Sequence, residues 1–402
     1  MARNQPHSAL RWIARCRTFS GRNPWADRES DAAIAALAWL RLNSARRAAE
    51  TLDAVAMPSD QFERTRAALE TLSSCQRGDL AAVNRLTGDF FDRLPPQAIF
   101  EAVVRCAQFN GRFDLARAVA DDWQRQFPQD AAAAYQRGRN AELTERLPEA
   151  LQAYRDALAL QPDLPRAAFR SGVLLARERG PTLERDFELA ADLFRSCSGS
   201  ECGEIAAIEV ANCLWELQQT DRAWEVLQPI IARRPGSLVD AYLEVDEYVE
   251  EDRVAIVASR IAESRGDDPL AIDLLERALA HNPRNFEAVG RLAVILRRCG
   301  RDDQAESRTT DHQRMLQQRE RAVAIRTRLV ERPDDIDARF ELAVIYFDIE
   351  SLADTQLELS EVLKRDSDHA GAKKLLVEVA RQWSRMRSDP GQSTLSEVAT
   401  KR

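Results

Sequence analysis

Lysine is almost absent from this chain. Lys occurs at 364, 373, 374 and 401 only, so nearly all of the 57 basic residues are arginines. That bias is a statement about coding composition rather than about a site. Glycine and proline are also scarce, at 15 and 16 of 402 residues, and no alternating run of Val, Ile and Thr stands out. A strand-rich reading is thereby disfavoured, and the abundant Ala, Leu, Glu and Arg point to helix. Long apolar runs are missing as well. The longest, "AAIAALAWL" at 32–40, is about half of what a membrane span needs. No apolar h-region with a small-residue cleavage site opens the chain. The seven cysteines are odd in number and irregularly spaced. They suit reduced thiols better than a disulfide framework, and therefore a cytoplasmic setting. An excess of acid, net charge -8, argues against a general nucleic-acid binder.

Catalytic signatures are equally thin. The four histidines, His7, His281, His312 and His369, share no metal-ligand spacing. There is no CxxC, no Gly-rich phosphate loop and no nucleophile elbow. The reading is therefore a non-enzyme with neither metal nor cofactor. "SCSGSEC" at 196–202 could close a small disulfide. Cys106, Cys197 and Cys213, however, fall at packing positions and read as buried free thiols.

What is present is a recurrence. "RLPEALQAYRDALALQP" ends at Pro162, and similar stretches end at Pro128, Pro235 and Pro283. Pro128 and Pro162 lie 34 residues apart. Each proline follows a helical face with a small residue, a larger one four on, and another apolar one: Ala150, Tyr154, Ala157; Ala223, Leu227, Ile230; Ala271, Leu275, Ala278. A polar turn precedes each such helix. Before the turn lies another amphipathic helix with a small residue where two backbones would cross closely: Gly138, Gly172, Ala211, Ala293, Ala343.

Helix, turn, helix and proline at a period of 34 resemble the tetratricopeptide repeat family. The resemblance covers roughly 29–386. Gly138, Ala150, Tyr154, Ala157 and Pro162 match the family's pattern best, although its early tryptophan is mostly replaced by Ala. Copies are placed at about 29–62, 64–96, 97–130, 131–164, 165–203, 204–237, 252–285, 286–335 and 336–369. The resemblance implies an all-α, right-handed superhelical solenoid of antiparallel helix pairs, because one pair cannot bury its apolar face alone.

The expected organisation has six parts. Residues 1–28 form a basic amphipathic segment and 29–237 an array of about six helix pairs. An extra acidic helix spans 238–251, and a second array spans 252–369 with a polar insertion at 307–321. A capping helix at 370–387 and a disordered tail at 388–402 complete the chain. The insertion reads as a lengthened helix or a mobile loop. A smaller insertion lies at 178–186. Residues 8–22 carry Arg11, Arg15 and Arg22 opposite an apolar face. They could dock on the first repeat, or act as a targeting or peripheral membrane segment, which would place the protein in an organelle or at a membrane.

The family's concave positions are filled here by Arg105, Tyr135, Arg139, Arg166, Phe169, Arg170, Asn212 and Trp215. The resemblance thus implies a protein-interaction scaffold or adaptor. Guanidiniums beside rings suit an acidic peptide or helix with apolar anchors, docked at 97–216. The positions of the family's chaperone-tail clamp hold Glu101 and Arg105, which departs from that subclass. Two other readings stand beside it. One is a regulatory or structural subunit bound through the convex face or the acidic helix. A remoter one is a repeat that binds single-stranded RNA, which would need basic, stacking residues in every copy.

Overall fold

The computed structural model describes residues 28–41, 45–55, 58–76, 78–86, 94–176, 185–200, 202–231, 238, 241–242, 245, 252–348 and 352–388. The N-terminal segment 8–22, nearly all of the 178–186 insertion, most of the acidic stretch 238–251 and the tail beyond 388 lie outside them. The described residues form helices and connecting turns, with no strand among them.

They divide into two compact units, one drawn from Met1–Ile230 and Ser237–Val249, the other from Ile231–Gly236 and Glu250–Arg402. In the first unit the helices are α1 (Arg28–Arg41), α2 (Ala45–Asp53), α3 (Asp60–Gln76), α4 (Leu80–Arg85), α5 (Pro96–Phe109), α6 (Phe113–Gln126), α7 (Ala131–Leu143), α8 (Leu147–Leu160), α9 (Pro165–Ala176), α10 (Phe187–Ser196), α11 (Gly203–Glu216) and α12 (Thr220–Ile231, whose last residue falls to the second unit). In the second they are α13 (Arg253–Ser264), α14 (Asp268–His281), α15 (Phe286–Arg298), α16 (Asp302–Glu331), α17 (Ile336–Asp348), α18 (Leu352–Arg365) and α19 (Ala370–Ser388). Consecutive helices pack as pairs, and the second helix of one pair packs on the first helix of the next, as α6 on α7, α8 on α9 and α14 on α15. The fold is an all-α solenoid of helix pairs.

The turns inside five of the pairs are built one way. Gly111, Glu145, Gln218, Gly266 and Gly300 all take a left-handed conformation, φ +58° to +76°. The amide three residues beyond the helix then reaches back to the carbonyl five residues earlier: Arg112 to Ala107 at 2.8 Å, Arg146 to Ala141 at 2.9 Å, Gln219 to Leu214 at 2.8 Å, Asp267 to Ala262 at 3.0 Å, Arg301 to Leu296 at 2.9 Å. This is a Schellman cap, which satisfies carbonyls that the helix end leaves without partners. Between pairs, Asp130, Asn285 and Asp335 cap the next helix by accepting backbone amides, as Asp267 does within one pair.

The core follows the repeat. Ala116, Ala120 and Trp123, then Ala150, Tyr154 and Ala157, then Ala190, Phe194 and Cys197, then Ala271, Leu275 and Ala278 are all buried to within 1%. In two pairs a glycine of the first helix meets the ring of the second. A Cβ on Gly138 would stand 2.5 Å from the Tyr154 ring, and one on Gly172 would stand 2.8 Å from Phe194. In the second unit Ala293 and Ala343 take the same place. Residues 307–321 lie inside the 30-residue α16, which continues without a break from Asp302 to Glu331. At the end of the described chain α19 packs on α17 and α18 through Ala372 and Val379, with Lys373, Lys374 and Arg381 exposed. The structure accounts for the thiols too: Cys75, Cys106, Cys197, Cys202 and Cys213 are buried thiols, and burial pushes Cys75 up to about 12.

Gly138→Ala should destabilise the protein by about 1–3 kcal/mol. It should do so although alanine gains about 1 kcal/mol over glycine in helix propensity. The urea midpoint is the measurement; a midpoint that rises would show that the helices of this pair do not touch at Gly138.

Candidate binding face and its buried ion network

The first helices α5, α7, α9 and α11 carry the candidate binding residues, and their turns set which of these face the neighbouring helices. Five of the eight, Tyr135, Arg166, Phe169, Arg170 and Asn212, are buried. Arg105, Arg139 and Trp215 are partly buried. Tyr135 lies against Tyr154 with ring centroids 5.6 Å apart, and Phe169 meets Phe194 edge-on at 5.3 Å. These two rings are packing residues of the pairs, where the sequence reading has them as anchors for a partner. The physical reason is geometric: one turn of a first helix presents adjacent residues to its own second helix and to the next pair.

The arginines are engaged within the chain. Glu142 at the end of α7 receives the guanidinium of Arg170 from α9, with Nε to Oε2 at 3.1 Å and Nη2 bonded to Oε1. The same carboxylate accepts from Arg139 Nη1 at 3.0 Å and from the Tyr154 hydroxyl at 2.7 Å. Three side chains on three successive helices thus converge on one carboxylate. Arg166 reaches across to Glu101 on α5 at 3.2 Å, and its guanidinium lies 5.8 Å from the Tyr135 ring centroid. Glu101, at an expected clamp position, is 1% exposed. The acidic groups that the arginines were expected to meet on a partner are therefore supplied in part by Glu101 and Glu142 of this chain. Sequence reasoning passed over Glu142; its only signal was a second acidic residue on an Arg-bearing helix face.

Electrostatics follow the geometry. Burial raises the pKa of the Glu142 carboxyl, but the charges of Arg170 and Arg139 and the bonds from Arg170 and Tyr154 outweigh it, holding the group at about 2. Burial, and then the Glu142 charge, push the Tyr154 phenol well above its ordinary value.

The second unit holds an open cavity of about 510 Å³ between the face of α15 and the first half of α16. Phe286, Gly290, Val294 and Arg297 line it from α15, and Thr309 and His312 from α16. His312 stacks on Phe286 at 4.1 Å, and Arg319 sits 4.4 Å from the same ring centroid. His312 was read from the sequence as part of a polar insertion with no site. Among the described residues no group of three or more His, Cys, Asp and Glu is close enough to hold a metal ion, and no helix is long and apolar enough to cross a membrane.

Glu142→Gln should destabilise the first unit by about 3–5 kcal/mol, because Arg139 and Arg170 would be left buried without their carboxylate. The same group predicts an acid limb. Its folded pKa lies below the ordinary 4.5, so its contribution is complete above that value and is lost as pH falls from about 4.5 toward 2. For a shift of this size the loss is on the order of 3 kcal/mol. Thermal melts between pH 7 and 2 should show a shallower acid limb for the variant than for the wild type; parallel limbs would contradict the network.

A profile of the tetratricopeptide repeat family matches residues 265–329, which is α14, α15 and most of α16. No curated protein matches the chain in sequence. Among solved structures, the APC/C hetero-tetramer Cut9–Hcn1 is 14% identical over 92% of this chain and 67% of that one, with a TM-score of 0.42. Yeast Tom70 is 13% identical over 96% and 90%, with a TM-score of 0.37. The MamA protein is 14% identical over 47% and 93%, with a TM-score of 0.36. Likenesses this weak transfer no partner. Residues 265–329 thus match the tetratricopeptide repeat family, and helix pairs with the same small, large and left-handed turn positions recur in both units.

Proposed function

We propose that this protein is a non-enzymatic interaction scaffold that holds a protein partner on the inner faces of its first helices. Helix-pair repeats stack into extended surfaces of this kind, and proteins of the family are interaction scaffolds. The supporting observation is the face formed by α5, α7, α9 and α11. It carries Arg105, Arg139 and Trp215 only partly buried, beside the fully buried Tyr135 and Phe169. A partly buried guanidinium and an indole suit a partner with acidic groups and apolar anchors, such as a peptide or a helix. Arg166, Arg170 and Asn212 belong to this face but contribute from beneath it, by setting its shape. The second reading, a subunit of a larger assembly held through the convex face or the acidic stretch 238–251, rests on that stretch's five carboxylates, Glu244, Asp246, Glu247, Glu250 and Glu251. An RNA-binding role has less support, because the basic residues of this face already have carboxylate neighbours.

Double substitution of Arg139 and Arg170 would break the Glu142 network as well as any surface, so the informative variant is Arg105→Glu with Trp215→Ala. Partners recovered by affinity purification and mass spectrometry should be lost from this variant while its thermal melt stays near that of the wild type. An unchanged partner set would refute the inner face. Loss of the same partners only on deleting 238–251 would favour the second reading.

A further inference from the structure

In six other pairs, two positions of the second helix are buried. They are Ala120 and Trp123, Tyr154 and Ala157, Phe194 and Cys197, Leu227 and Ile230, Leu275 and Ala278, and Leu359 and Val362, none more than 6% exposed. The corresponding residues of α16 are Thr309 and His312, and both are only partly buried. The cause is the insertion. It lengthens α16, so that α17 packs on the helix's second half, around Ala322, Ile325 and Leu329. The face that the next first helix would cover is left open over α15 and the first half of α16. That face is the 510 Å³ cavity, and Val294 and Leu316 beside it are 58% and 40% exposed.

We propose that this vacated place is a docking slot for one acidic amphipathic helix of a partner protein. Its shape argues for a helix, because the same surface takes a helix in the other pairs. Its length agrees: Phe286 to Arg297 spans about 16 Å, or three helical turns. Its floor is shallow and apolar: the His312 ring lies against the backbone at Gly290 and on the Phe286 ring, and Thr309 is small. Its charge argues for an acidic partner. The lining carboxylates are committed: Glu263 to Arg291 and Arg298, and Glu287 to Arg260 at 2.5 Å. Arg297 bonds only the Thr309 hydroxyl, at 3.2 Å, and Arg319 lies over the Phe286 ring; neither has a carboxylate partner among the described residues. Two uncommitted guanidiniums beside an apolar floor match an apolar stripe flanked by Glu or Asp. The slot shares with the scaffold reading only the idea of a protein ligand. It lies in the second unit and uses none of the residues of α5 to α11.

The probe is a stapled 14-residue helix with an apolar stripe flanked by glutamates, compared with the same peptide carrying lysines. Fluorescence polarisation with the full chain should show the acidic peptide binding about tenfold or more tighter than the basic one. Arg297→Glu with Arg319→Glu should abolish that preference. Val294→Glu should remove binding and Val294→Leu keep it, with the thermal melt unchanged, since Val294 is exposed. The Arg105→Glu, Trp215→Ala variant should bind the probe as the wild type does, which separates failure here from failure of the inner-face reading. Equal binding of both peptides, no binding of either, or binding indifferent to Val294→Glu would each overturn the proposal. A dimer in light scattering that Val294→Glu dissolves, without peptide binding, would overturn it in favour of a second copy of this chain.

Discussion

No helix pair in this protein can cover its own apolar surface, and everything else follows from that deficit. The second helix of a pair turns one stripe inward onto the small residue of its partner, as Tyr154 does onto Gly138. A further stripe must be covered by the first helix of the following pair. Ala157, Cys197 and Ala278 are fully buried because α9, α11 and α15 follow them. The left-handed turn residue supports the same arrangement. It reverses the chain within four residues, so that the two helices of a pair lie side by side. Glu145 and Gln218 adopt that conformation without the help of glycine, at a cost of roughly 1–2 kcal/mol each that the packing on either side must offset.

Charge is used inside the stack as well as on it. A buried carboxylate among arginines contributes little net stability over an apolar replacement, but losing one member is costly because the others remain desolvated. Glu142 gathers groups from α7, α8 and α9, and Glu101 joins α5 to α9. Such pairs tie the register of one helix to another in a way that interchangeable alanines and leucines do not. The face formed by α5, α7, α9 and α11 is thus first a structural element.

The fold was legible in the sequence because its signal is periodic and local. Ala150, Tyr154, Ala157 and Pro162 announce a second helix by spacing alone, and Gly138 announces the close crossing. The site was less so. Concave positions can be assigned from the repeat, but whether Arg170 meets solvent, a partner or Glu142 depends on how two helices 28 residues apart are placed. The sequence shows charges; only the packing shows which are already neutralised. The insertion at 307–321 was visible as extra length. That it uncovers Thr309 and His312, rather than forming a loop outside the array, depends on α16 remaining one helix and on where α17 lands along it.

The claim that, within each unit, a pair is completed by the next helix, except at α15 and α16, is tested most directly by thiol accessibility. Cys197 and His312 occupy the same place in their respective repeats, one fully buried and the other only partly so. In a His312→Cys protein the two thiols can be compared in a single native sample by maleimide labelling and peptide mass spectrometry. The thiol at 312 should label readily under native conditions, while Cys197 should label only through unfolding, its rate rising steeply with urea. Equal protection of both positions would mean that a helix covers α16 after all, and would contradict the account.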